Sequence, residues 1–97
     1  MADRLRIDKW LWHARFYKTR ALAQTAAASG IIRLNGNRIG KSSTTVTPGD
    51  ILTIPRGPEV LALRVLALGT RRGPASEAQA LYDILNESGL DREPPAP

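Results

Sequence analysis

The chain has 97 residues, 14 of them Lys or Arg and nine Asp or Glu, which gives a formal net charge of +5, and it has no cysteine. That length suits one small domain with a thin core, and the lack of cysteine excludes disulfide staples and thiolate metal sites. A single histidine cannot build a zinc site, no apolar run approaches membrane-spanning length, and Met1-Ala2-Asp3-Arg4 leads into no signal-peptide core. The expectation is a cytoplasmic chain, complete from Met1 and needing no cofactor.

Ile7, Trp10, Leu11 and Ala14 recur at i, i+3, i+4 and i+7, which predicts a helix with one apolar stripe. Phe16-Tyr17 ends that pattern. Thr19 is placed to cap a second, alanine-rich helix over Arg20 to Ser29, with Leu22, Ala23 and Ala26 on its inner face. Small alanines there imply a close approach of the two helices. Gly30 stands where a helix C-terminus takes a left-handed residue. Ile32-Arg33-Leu34 alternates as a half-buried strand, and Asn35-Gly36 tolerates the positive φ angles of a tight hairpin. Ile39 and Val46 are expected to face the core from a weakly regular segment. Pro48-Gly49-Asp50 turns the chain into a strand over Ile51 to Ile54.

Arg56-Gly57-Pro58 breaks that strand. The valines of Glu59 to Leu68 then favour another strand over a helix. Arg71-Arg72-Gly73 is a basic hinge. Pro74 fits the first turn of a third helix, Glu77 suits its positive end, and Ala78, Leu81, Tyr82 and Leu85 would form its inward stripe. Beyond Asn86 the chain is polar and acidic and ends in Pro94-Pro95-Ala96-Pro97, a composition typical of disorder. No internal repeat is visible. The expected fold is α+β: two packed N-terminal helices against a small, mainly antiparallel sheet of about four or five strands, plus a C-terminal helix. The main domain is expected over 4–70, a helical extension over 71–87 and an acidic, proline-rich tail over 88–97.

Charge is unevenly placed. Residues 1–48 hold nine cations and two acids, whereas residues 74–97 hold one cation and five acids. Six cations (Arg6, Lys9, Arg15, Lys18, Arg20 and Arg33) fall within the first helix pair and hairpin, against Asp8 alone. Clustered cations on a compact helix pair and hairpin suit a polyanion, and phosphate backbones are the commonest one.

The candidate RNA-binding residues are Arg6, Lys9, Arg15, Lys18, Thr19, Arg20, Arg33, Asn35, Arg38 and Lys41. Unpaired N–H groups at the start of the second helix point at an anion there, Thr19 adds a hydroxyl, and the Arg20 fork can hold a phosphate through two hydrogen bonds. Arg33 points outward between Ile32 and Leu34, and a hairpin carrying it with Arg38 and Lys41 can brace an RNA backbone. Asn35 can equally serve only the turn. Asp8 either holds an arginine in place or makes a surface ion pair of structural role. Trp12 stacks on an unpaired base or packs under the third helix through Leu81 or Tyr82. His13 is expected on the polar side near Lys9, solvated or facing phosphate.

Arg6-Ile7-Asp8-Lys9-Trp10-Leu11, Lys18-Thr19-Arg20-Ala21, Gly30 to Gly36, Val46 and Gly49-Asp50-Ile51 together resemble the S-four RNA-binding domain, named after small-subunit ribosomal protein four. The narrower set Asp8-Lys9-Trp10-Leu11-Trp12, Arg15-Phe16-Tyr17-Lys18-Thr19-Arg20, Arg71-Arg72, Ala75-Ser76-Glu77-Ala78 and Leu81-Tyr82 is similar to the fifteen-kilodalton heat-shock protein family, whose members are small stand-alone S-four proteins. The resemblance implies binding to structured ribosomal RNA on the large ribosomal subunit, particularly subunits still holding peptidyl-tRNA. The chain departs from the family pattern twice. It turns acidic where family members often continue into a basic segment. Ala26 replaces a larger aliphatic residue, for which Trp10 and Leu22 are expected to compensate. The implied function is non-catalytic RNA binding by a monomer without membrane attachment. The alternatives are an RNA-binding accessory module of an RNA-modifying enzyme, or a protein-interaction adaptor working through the acidic end.

Overall fold

A computed structural model of the chain describes residues 3–86. Strand β1 (Leu5–Arg6) runs directly into helix α1 (Ile7–His13), which is followed by α2 (Arg20–Ala28). Ile7, Trp10, Leu11 and Ala14 are all buried, as their spacing requires. The first turn of α1 has no side-chain cap; instead the Ile7 N–H donates to the Thr44 carbonyl at 2.6 Å. At its other end, the Arg15 N–H donates to the Trp12 carbonyl (3.1 Å) and the Phe16 N–H to the Leu11 carbonyl (3.0 Å). Those two bonds close the helix in a Schellman motif, with Arg15 at the left-handed position (φ 65°) that glycine usually fills.

Thr19 caps α2, its hydroxyl oxygen accepting the Leu22 N–H at 3.1 Å, and Gly30 (φ 84°) ends the turn beyond it. The inner face of α2 differs from expectation. Ala23, Ala26 and Ala27 are buried, while Leu22 is 51% exposed. Positions i, i+3 and i+4 share a face, and Leu22 lies about 100° round the helix from Ala23. Leu22 therefore does not compensate for the small Ala26, whereas Trp10 is fully buried in the same core as the three alanines.

Strands β2 (Arg33–Leu34), β3 (Asn37–Arg38), β4 (Thr45–Val46), β5 (Ile51–Arg56) and β6 (Glu59–Val65) follow. Asn35 (φ 52°) and Gly36 (φ 88°) make the β2–β3 turn, and Gly57 (φ 61°) with Pro58 makes the β5–β6 turn. Leu52 and Ile54 of β5 and Leu61, Leu63 and Val65 of β6 alternate inward to supply the sheet side of the core. The third helix is shorter than its stripe suggests. α3 covers Ala75–Gln79 only, and Tyr82–Asn86 forms β7, pairing Val65 with Tyr82 and Leu63 with Ile84. Tyr82 and Ile84 are half-buried, alternating with exposed Asp83 and Leu85, a period of two rather than 3.6. The open edge of β6 supplies what the local sequence cannot, a ladder of unpaired backbone groups. Ala78 and Leu81 are buried as expected; Leu85 is 43% exposed.

The sheet order is β3-β2-β5-β6-β7, all antiparallel, with a separate β1–β4 pair at the start of α1. The expected tail over 88–97 lies outside the described residues. Among the described residues no helix is long and apolar enough to cross a membrane.

Candidate nucleic-acid interface

Asp8 organises the basic surface. Its carboxylate is fully buried and accepts Arg6 Nε at 3.2 Å, Arg6 Nη2 at 3.0 Å and the Lys9 N–H at 2.7 Å. Arg20 Nη2, from the first turn of α2, completes an ion pair at 3.7 Å. Burial pushes the Asp8 carboxyl up, but hydrogen bonds from Arg6, Gln24 and the Lys9 backbone outweigh it and hold the group below its ordinary value. One acid thus draws two arginines from different elements to one place. It is an internal clamp, not a surface pair. The sequence signal is its solitude: Asp8 is the one acid among six cations between Arg6 and Gly36.

Arg20 keeps donors in reserve. Its Nε is buried and has no partner among the described residues, and its side chain is 40% exposed. A buried donor without an acceptor is costly, and a phosphate oxygen would satisfy it. Lys18 and Thr19 are exposed beside it at the start of α2. The Thr19 oxygen already accepts the Leu22 N–H, yet its O–H can still donate.

His13 lies elsewhere than expected. It is 1% exposed, with Nδ1 3.2 Å from the Leu68 carbonyl. Nδ1 therefore carries the proton that this bond needs. Burial lowers the imidazole from its ordinary value, the Leu68 carbonyl opposes that, and the Lys9 and Arg20 charges lower it further. His13 is thus neutral core, not a phosphate contact; the helical turn that places Lys9 at i−4 also puts His13 under the chain at Leu68. Trp12 is half-exposed and tilts against the His13 ring at 5.7 Å. The aromatic partner of Tyr82 is Phe16, at 4.7 Å.

The hairpin sets Arg33 opposite Arg38 in register, both exposed. Arg33 reaches the Gly36 carbonyl (3.4 Å), and the Arg38 stem crosses Gly30 at the end of α2. Exposed Lys41 opens the loop whose Thr44 carbonyl caps α1, so this loop ties hairpin to helix. Asn35 is spent internally: Nδ2 donates to Asp50 (3.1 Å) and Oδ1 accepts the Ile51 N–H (2.8 Å). Arg15 stands apart from the Asp8 clamp, at the far end of α1, with Nε donating to the Gly73 carbonyl at 2.8 Å. Arg6 and Arg20 thus converge on Asp8; Arg33 and Arg38 face each other across the hairpin; Arg15 points to other ground.

The S4 domain, the S-four module of the sequence resemblance, matches residues 5–52. Heat shock protein 15 of Escherichia coli strain K12 is 45% identical over 92 residues, spanning 95% of this chain and 68% of that protein. The chain belongs to the heat shock protein 15 family. Another relative, the RQC P-site tRNA stabilizing factor of Bacillus subtilis, is 38% identical over 86 residues, 89% of this chain and 98% of its own. The trimeric structure of Vibrio cholerae heat shock protein 15 superposes with a TM-score of 0.83 at 38% identity, covering 93% of this chain and 90% of that one. The S4-like fold expected from sequence is therefore the fold of the heat shock protein 15 family. The expectation of a monomer finds no support beside a trimeric relative. Within the heat shock protein 15 fold, the S4 match spans the Asp8 clamp, α2 and the hairpin, and stops short of α3 and β7.

Proposed function

We propose that this chain is a non-catalytic, cytoplasmic RNA-binding protein that grips structured ribosomal RNA on the large ribosomal subunit and steadies subunits still holding peptidyl-tRNA. The S4 domain and the names of its relatives, a heat shock protein and a P-site tRNA stabilizing factor, support that assignment. The observation that carries it is the buried Asp8 holding Arg6 and Arg20 together while Arg20 Nε has no partner among the described residues. Arg6, Lys9, Lys18, Thr19 and Arg20 form the phosphate-gripping centre. Arg33, Arg38 and Lys41 brace a second stretch of backbone, and Asn35 shapes the hairpin that carries them. Such residues read RNA shape and phosphate spacing more than base identity.

Sedimentation of the protein with isolated large subunits, alongside titration of subunit RNA over a range of salt, tests the assignment. Lys18→Ala with Arg20→Ala should weaken binding and flatten the log–log salt slope by roughly 0.7–0.9 for each phosphate left without its cation. Unchanged affinity and slope in a folded double variant would reject the site.

A further inference from the structure

A groove of about 450 Å³ opens at the C-terminal end of α1, against β5, α3 and β7. Its chemistry is carried by Arg15, Phe16, Tyr17, Arg56, Gln79 and Tyr82, and no Asp or Glu is among the described residues that line it. Phe16 and Tyr82 pack at 4.7 Å with their rings tilted 50°, and Trp10 backs Phe16 at 6.0 Å, so the aromatic floor is braced from the core. Tyr17 is half-buried at the rim, and burial holds its hydroxyl above the ordinary phenol range, a neutral donor at physiological pH. Arg15 lines the groove, is exposed, and is anchored through Nε to the Gly73 carbonyl; its guanidinium carries further N–H donors on the two Nη atoms.

The backbone adds an independent reason to suspect a ligand. Arg15 occupies the left-handed residue of the Schellman motif at φ 65°. Glycine closes a helix there with less strain. What arginine adds is a guanidinium at the groove mouth. Strained non-glycine residues gather at binding sites, and the inference runs from the observed outlier to the function.

We propose that this groove receives one unpaired nucleotide of the bound RNA, its base stacked on Tyr17 and the Phe16–Tyr82 pair and its phosphate held by Arg15 and Arg56. The proposal rests on the RNA-binding assignment above and adds a second, base-stacking subsite to it. The volume is that of a small-ligand pocket. Aromatic rings stack on any base, and arginine beside them supplies the phosphate contact that a sequence-tolerant single-strand site needs. The groove lies one helix length from the Asp8 clamp; α1 has seven residues, about 10 Å. One RNA can therefore engage both ends of α1.

The test uses two short RNA hairpins, one fully paired and one with a single bulged 2-aminopurine. Wild type should bind the bulged hairpin about tenfold more tightly, with the fluorescence of the bulged base quenched by stacking. Tyr17→Leu, which keeps apolar bulk, should abolish the preference and the quenching while paired-hairpin affinity stays within about twofold. Arg15→Gly keeps the helix terminator, so it guards against a fold failure in Tyr17→Leu; it should lower affinity for the bulged hairpin more than for the paired one. Equal binding of both hairpins without quenching overturns the groove subsite and leaves the RNA-binding assignment standing. Binding of neither hairpin, nor of subunit RNA, overturns both. A photoreactive residue at Gln79 that crosslinks in cells to polypeptide and not to RNA also overturns the subsite.

Discussion

Asp8→Asn separates two accounts of the basic surface that predict opposite signs. If the surface attracts RNA by charge alone, removing its one buried acid raises the net charge and tightens binding. A phosphate about 6 Å from Asp8 in a water-like medium would gain roughly 0.7 kcal/mol, about threefold. If Asp8 instead positions Arg6 and Arg20, the loss is larger than that gain. Asparagine keeps the shape but gives up the charge-assisted bonds that now hold Arg6 at 3.0 and 3.2 Å and the ion pair with Arg20 at 3.7 Å. A misplaced arginine forfeits a charge-assisted hydrogen bond to phosphate of about 1.5–3 kcal/mol. Net, the variant should bind subunit RNA about tenfold more weakly, which is about 1.4 kcal/mol. The fold should also weaken. The two arginines are 45% and 40% exposed, so solvent screens them and the stability loss is held to about 1–2 kcal/mol, with each kcal/mol lowering Tm by roughly 4–8 °C. The Asp8 carboxyl titrates below its ordinary 3.8 in the folded chain. Its stabilisation is therefore present above that value and is lost as pH falls through the folded value. Wild type and variant should accordingly converge in stability only as pH falls from the ordinary 3.8 through the lower folded value. Fluorescence anisotropy titration and thermal melts by circular dichroism give both numbers. Binding by Asp8→Asn as tight as wild type, with the fold intact, would refute the positioning role.

Three further outcomes are expected. Thr19→Ala removes the acceptor for the Leu22 N–H and should cost about 1 kcal/mol in urea denaturation. His13 is held neutral, with its folded pKa below the ordinary 6.5, so stability should be level above that pH and decline as pH falls from 6.5 toward the folded value; His13→Gln should flatten that stretch of a pH–stability curve. Gly36→Ala meets no atom within 4 Å, so its cost should be purely conformational, about 1–2 kcal/mol from the φ of 88°, seen as a lower denaturation midpoint.

What the sequence makes legible is whatever repeats at the period of a single element. The Ile7-Trp10-Leu11-Ala14 stripe, the Thr19 cap, the Asn35-Gly36 turn and the inward Leu52 and Ile54 all follow from local spacing and backbone chemistry. The misses depend on what comes alongside. Leu22 is apolar enough for a core, but alanines three and four apart set the helix face, and the larger side chain is left outside. Residues 82–86 carry a spacing that serves a helix or a strand, and the open edge of β6 decides between them. His13 is polar in composition and core in fact because Leu68, fifty-five residues on, offers it a carbonyl. Asp8 is visible as a lone acid, yet its burial depends on α2 folding back over α1.

The same split governs the candidate site. Charge and position nominate ten residues, and the fold sorts them by what each side chain is already doing. Asn35 has both amide atoms committed inside the molecule. Arg6 has two nitrogens on Asp8, whereas Arg20 has one distant ion pair and an Nε without a partner among the described residues. A buried donor that lacks an acceptor costs the folded chain free energy until something supplies one. Of these two arginines, the one whose buried donor is left without an acceptor has more to gain from a phosphate. On that ground Arg20, rather than the more fully bonded Arg6, is where the RNA backbone should be gripped hardest, with Asp8 and Arg6 as the frame that keeps it in place.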